Sequence, residues 1–210
     1  MARTTTKIGP DGQLVEKESN WLETVLVVIG ALVLALLIQQ FLVKPYKIPS
    51  PSMVPTLDEG QRILVNRLGD HFGDPKNGQI LVFNPPSGAE QSGEECAVPH
   101  DENHACLQAK PGKLKQAFVK RVVGVPGDKI SVKGGHVIRN GTPVDEPYAR
   151  PCDDATCNIA TFTVPAGHYF MMGDNRGNSD DSRFWGPIPR DYVIGRAFAT
   201  YWPPKRIGGL

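Results

Sequence analysis

The sequence predicts a mainly β protein of antiparallel sheets, preceded by a single membrane-length helix. Three observations carry this. Short runs rich in Val, Ile and aromatic residues recur through the chain, each bounded by turn-forming residues. Glycine (22) and proline (19) are plentiful among the 210 residues, which suits many strands joined by turns. One long apolar stretch, from Leu22 to Val43, stands apart from all of these.

That stretch reads LETVLVVIGALVLALLIQQFLV and carries no charge after Glu23. As a helix, its 22 residues would rise about 33 Å, enough to cross the hydrocarbon of a bilayer. Trp21 and Tyr46 flank it, as interfacial aromatics do. A cleaved leader would have a shorter apolar part and a small-x-small site after it, whereas QQFLVKPYK follows here. A buried soluble helix is rarely apolar all round in so small a domain. The retained transmembrane helix is therefore the expectation. Residues 1–20 are polar and without periodicity, and are expected to be a disordered tail.

After the helix, strands are expected at RILVNRL (62–68), QILVFN (79–84), AFVKRVVGV (117–125), KISVKG (129–134), HVIRN (136–140), TFTV (161–164), HYFMMG (168–173) and AFATYW (197–202). Asn140-Gly141 tolerates the positive φ of a hairpin turn. Residues 85–113 have little apolar pattern and read as a tolerated surface insertion. Trp185 and Trp202 are expected in the core.

The net charge of +1 gives no reason to expect a nucleic-acid partner. All the cysteines (Cys96, Cys106, Cys152, Cys157) follow the apolar run, in two close-spaced pairs. Local pairing, Cys96–Cys106 and Cys152–Cys157, is the natural disulfide pattern, and disulfides place this part of the chain outside the cytoplasm. Cys96, His100, His104 and Cys106 could alternatively form a tetrahedral zinc site, although their spacing matches no common zinc pattern.

The stretch KIPSPSMVPTL follows the helix closely and presents Ser50 and Ser52 on a proline-stiffened arm. A serine hydroxyl attacks only when a neighbouring base takes its proton. The histidines (His71, His100, His104, His136, His168) sit in turns, in the insertion or before a strand, where surface or packing roles suit them better. A desolvated lysine is the alternative base. Lys120 alternates with Phe118 and Val122 on one strand face, with Val119 and Arg121 on the other. Strand context alone favours a lysine whose head reaches water. Finally, GDNRGNSDDSRFWGPI (173–188) is dense in residues whose side chains bond to backbone in an ordered turn.

Four segments in order, IPSPSMVPTL, GQRILVNR, FVKRVVGVPGDKI and GDNRGNSDDSRFWGPI, resemble the type I signal peptidases, or leader peptidases. These are membrane-anchored serine peptidases with a Ser/Lys dyad. The resemblance covers most of residues 22–202. It implies Ser52 as nucleophile, Lys120 as general base, and Ser50 with the Ser52 amide as the oxyanion hole. It further implies Ser179 as the group that orients the lysine, with Asp181 and Arg183 as a structural ion pair. Tyr46, Ile48, Phe118 and Val119 match positions that line the substrate pockets. The implied substrates are signal peptides of exported preproteins, cut after small-x-small sites at the lipid surface, with no metal or other cofactor. The implied organisation is a tail (1–20), a transmembrane helix (21–43) and an extracytoplasmic catalytic domain (44–210) on a bacterial plasma membrane. Gln61, Gln79 and Gly177 stand where relatives often carry aspartate, and Pro51 where many carry glycine. The rival readings are a catalytically dead tethered binding domain and a peptidase dedicated to one substrate.

Overall fold

A computed structural model describes residues 6–8, 14–16, 21–67, 73–90, 96–101, 104–150, 152 and 155–210. The chain divides into two units, Met1–Phe41 and Leu42–Leu210. In the first, the expected disordered tail contains two short paired strands, β1 (Thr6–Ile8) and β2 (Leu14–Glu16). The rest of that tail lies outside the described residues.

Helix α1 runs Trp21–Phe41, with Glu23 in the first turn, where a negative charge suits the helix dipole. Its side chains Trp21, Leu26, Val27 and Leu36 are each more than half exposed. The helix is shorter at its C-terminal end than the expected span over 21–43. The helix stops at Phe41, because Val43 already pairs as a strand and Pro45 disfavours helix at Lys44. Among the described residues, no helix is long and apolar enough to cross a membrane; side chains on α1 are described only over residues 21–36.

The second unit is built on two antiparallel sheets. One contains β3 (Val43–Lys47), β4 (Arg62–Asn66), β5 (Ile80–Phe83), β6 (Phe118–Gly124), β11 (His168–Met172), β12 (Ile188–Pro189) and β13 (Val193–Trp202). Their order is β12-β11-β6-β5-β13-β4-β3, with β14 (Gly208–Gly209) also on β13. The other contains β7 (Lys129–Lys133), β8 (His136–Arg139), β9 (Thr142–Pro143) and β10 (Ile159–Thr163), in the order β10-β7-β8-β9.

Alternation decides the faces of the peripheral strands. Ile63 and Val65 on β4, and Ile130 and Val132 on β7, point inward between exposed or half-buried neighbours. The central strands β5 and β6 are buried almost throughout; β5 accordingly reads as an unbroken apolar run, whereas β6 buries Lys120 and Arg121 among its apolar residues. The β8–β9 hairpin turns at Asn140 (φ 54°) and Gly141 (φ 82°), the positive-φ pair that the Asn-Gly sequence favours. Trp185 is fully buried, but Trp202 is 51% exposed at the end of β13, contrary to the expected core position.

Residues 85–113 are not a plain surface insertion. Their base is tied by Ser87 N–H to the Gly112 carbonyl (3.0 Å) and Leu114 N–H to the Pro85 carbonyl (2.9 Å). Ala89 joins the core formed by Leu81, Phe83, Met171 and Trp185, and Ala105 joins the one formed by Ile130, Val132 and Phe170. The structure pairs Cys96 with Cys106 and Cys152 with Cys157. Cys96, Cys106 and His100 do lie within 4.8 Å of one another, but sulfurs joined as a disulfide are not thiolate ligands.

Candidate active site

Ser52 sits on a single 3-10 turn, Pro51–Met53, entered from extended backbone at Ser50. Proline at the first position of the turn presets its φ and lacks only an N–H that would have no partner within the turn. Val54 N–H closes the turn on the Pro51 carbonyl at 3.1 Å. The Ser50 hydroxyl lies 3.3 Å from the Ser52 hydroxyl. Two hydroxyls thus meet at one point because the residue between them is a proline with a fixed φ.

Lys120 enters from β6. Its register, opposite Leu81 of β5, places the side chain where only 4% of the residue is exposed. Burial drives the ammonium pKa down from 10.5 to about 8; the charges of Asp181 and Asp180 oppose that shift without overcoming it. Nζ donates to the Ser179 hydroxyl at 3.0 Å, and that hydroxyl donates to Asp181 Oδ2 at 2.8 Å. The lysine head is therefore held by a neutral group, with the anion one bond further away.

Asp181 is itself fixed on every side. It caps the short helix α2 (Ser182–Trp185) and accepts Gly173 N–H at 3.0 Å. The Arg183 guanidinium grips both its oxygens at 2.8 and 3.0 Å. Burial pushes this carboxyl up, but Arg183 and the accepted N–H groups outweigh burial and hold it below the usual range. Arg183 also donates to the carbonyls of Arg176 (2.6 Å), Ser179 (3.1 Å) and Thr156 (3.2 Å). A buried pair this well hydrogen-bonded holds its charges where an isolated one would be expensive. The dense polar run at 173–183 thus folds because its side chains satisfy its own backbone.

Of the residues singled out in the sequence, Ile48, Ser50, Ser52, Phe118, Val119 and Lys120 line one cleft of ≈ 440 Å³. Ser179, Asp181 and Arg183 lie behind it as the hydrogen-bonded support of Lys120. Tyr46 is not among the lining residues; it packs against the core that contains Ile48 and Val119. His71 lies outside the described residues. His100 and His104 border a separate pocket beside the Cys96–Cys106 bridge.

Sequence reasoning missed several residues at the site. Ala89 and Glu90, from the insertion, line the same cleft. Gly173 is packed so tightly that a Cβ would lie 2.2 Å from Ser179 Oγ and 2.4 Å from the Ser52 carbonyl oxygen. Arg121, next to the lysine, pairs bidentately with Asp174 at 2.8 and 2.6 Å. For Gly173 and Asp174 the sequence signal was the density of Gly, Asp and Asn at 173–181; Ala89, Glu90 and Arg121 carried none. Gly177, unusual in that motif, is explained by the cysteines: a Cβ there would stand 3.2 Å from that of Cys152.

A family model described as signal peptidase, peptidase S26, matches residues 21–202. The probable signal peptidase I-1 of Synechocystis sp. is 39% identical over 188 residues, covering 90% of this chain and 86% of that protein. The signal peptidase I of Leptolyngbya laminosa is 37% identical over 201 residues, with 96% and 89% covered. Signal peptidase IB of Staphylococcus aureus is 31% identical over 198 residues, with 87% and 90% covered. The chain belongs to the signal peptidase family, peptidase S26, and is a serine peptidase.

Proposed function

We propose that the chain removes signal peptides from exported preproteins through a Ser52/Lys120 dyad, cutting after small-x-small sequences. The single observation that carries this is Lys120. It is a buried amine with its pKa lowered to about 8, held by Ser179 in the same cleft as two adjacent serine hydroxyls.

In the first step, neutral Lys120 takes the Ser52 Oγ proton as Oγ attacks the scissile carbonyl. The negative charge on the tetrahedral oxygen is met by the Ser50 hydroxyl and the Ser52 backbone N–H; Pro51 between them can contribute none. Lys120 then passes its proton to the departing amine, leaving the acyl group on Ser52 as an ester. A water molecule, deprotonated by the same amine, hydrolyses the ester and restores both residues. Every proton is accounted for by serine, lysine and water, so the reaction needs no metal or organic cofactor.

The cleft supports an extended substrate. On β6, Phe118–Lys120 pairs with β5 on one side, while β11 begins its pairing only at Arg121. That leaves the first part of β6 able to accept a peptide strand. Ile48, Phe118 and Val119 make the cleft wall apolar, which suits small side chains flanking the bond. The apolar helix α1 suits attachment to lipid, where signal peptides emerge, and the disulfides suit the extracytoplasmic side.

The test is cleavage of a preprotein by the full chain in detergent, alongside Ser52→Ala and Lys120→Met. Both variants should lose at least about 10³-fold in kcat/KM while remaining folded by circular dichroism. Cleavage at the native rate by either variant would refute the dyad.

A further inference from the structure

The two residues of the proposed dyad come from distant stretches of chain, and one short segment touches the supports of both. This segment is Gly173–Asn175, just after β11. Its backbone approaches the nucleophile's turn: Asn175 N–H donates to the Ser52 carbonyl at 3.0 Å. The Asn175 side-chain amide donates to the Pro51 carbonyl at 3.1 Å. That same carbonyl already closes the turn by accepting Val54 N–H, so both its lone pairs are used.

The segment is also tied to the lysine. Asp174 accepts the Thr56 hydroxyl, just past the nucleophile, and chelates Arg121, the residue after Lys120. Gly173 touches Ser179, the hydroxyl that holds Nζ. Anything that fixes Asn175 to the turn therefore fixes Ser52 relative to Lys120.

We infer that Asn175 is a positioning residue: its side-chain amide anchors the Pro51 carbonyl and so holds the Ser52 hydroxyl in line with Lys120. The inference rests on the Ser52/Lys120 reading. Asn175 touches neither the lysine nor the bond to be cut. It acts through the peptide groups on either side of the nucleophile's Cα, where a displacement of about 1 Å can cost on the order of 10² in rate.

The experiment compares Asn175→Ala and Asn175→Asp with the native full chain in detergent. Kinetics are measured on a signal-peptide substrate between pH 6 and 10, together with Tm. Aspartate has the shape of asparagine and keeps the backbone bond to Ser52, but it offers an oxygen to the Pro51 carbonyl where the amide offered an N–H. Both variants should show kcat lowered about 10- to 100-fold and KM unchanged; in the uncharged Asn175→Ala the pH midpoint of kcat should stay near 8, because Lys120 and Ser179 are untouched. Native kcat in Asn175→Asp overturns the inference, as does a loss confined to KM in either variant or a displaced pH midpoint in Asn175→Ala. Should Asn175→Ala fail to fold, Asn175→Asp decides alone. Ser52→Ala run in parallel separates the two levels. If it is inactive while Asn175→Asp is fully active, only this inference fails; if it is active, the dyad itself fails.

Discussion

Lys120 should make the protein less stable at neutral pH than it would be without a lysine there. The side chain is almost wholly buried and its pKa falls from 10.5 to about 8, chiefly through desolvation. Each unit corresponds to about 1.4 kcal/mol, so keeping the ammonium in place below pH 8 costs the folded state about 3 kcal/mol. Between pH 8 and 10.5 the unfolded chain holds a proton that the folded chain has released. Native stability therefore rises with pH across that window, by up to about 1.4 kcal/mol per unit. Lys120→Met keeps the length and removes the charge. It also leaves the Ser179 hydroxyl oxygen without its lysine donor, a loss of about 1 kcal/mol. The variant should accordingly be about 2 kcal/mol more stable than the native protein at pH 7. That advantage should vanish and reverse above pH 10, while the variant has no peptidase activity at any pH. Urea unfolding of both proteins in detergent at several pH values from 6.5 to 10.5 measures the difference, in which the other titrating groups cancel. A difference that is flat with pH, or a methionine variant less stable at pH 7, would refute the reasoning that Lys120 is buried as a strained base.

Two further outcomes follow from contacts around the lysine's support. Gly173→Ala places a Cβ 2.2 Å from Ser179 Oγ and 2.4 Å from the Ser52 carbonyl oxygen, so both must shift; kcat should fall at least about 10²-fold, and native kinetics would show that the loop has room to move. Cys106 N–H donates to the Arg183 carbonyl at 3.0 Å, and the Arg183 side chain donates to the Thr156 carbonyl inside the Cys152–Cys157 loop, so each bridged loop bears on the arginine that holds Asp181. Replacing Cys96 and Cys106 together by serine should lower unfolding stability by about 2–3 kcal/mol and reduce kcat, read by urea titration and kinetics; unchanged kcat would detach the insertion from the site.

Several features were legible from local sequence because they depend on local forces. Alternating apolar residues located β7, whose faces follow from a two-residue period, and short runs rich in Val, Ile and Phe located β4, β5 and β6. Asn140-Gly141 announced its hairpin because few residues tolerate positive φ. Other features depended on partners far along the chain. Nothing near Tyr46 indicates that it packs against the core while Ile48 faces the cleft. Nothing in the polar stretch at 85–113 indicates that Ala89 and Ala105 are buried in different cores. Trp202 looked like core and is half exposed, because it lies at the last position of β13.

The same division holds at the site. By itself the sequence determined which chemical groups are present: two hydroxyls stiffened by Pro51, an amine on an apolar strand, and a polar run able to satisfy its own backbone. Whether that amine is buried, and which groups hold it, was decided only by the tertiary structure. The desolvation that lowers the Lys120 pKa comes from the body packed around β6, its orientation from Ser179, 59 residues away, and the placement of Ser52 from Asn175, 123 residues further along the chain. Desolvation and hydrogen-bond geometry depend on what is near in space, and a strand's own residues do not specify that.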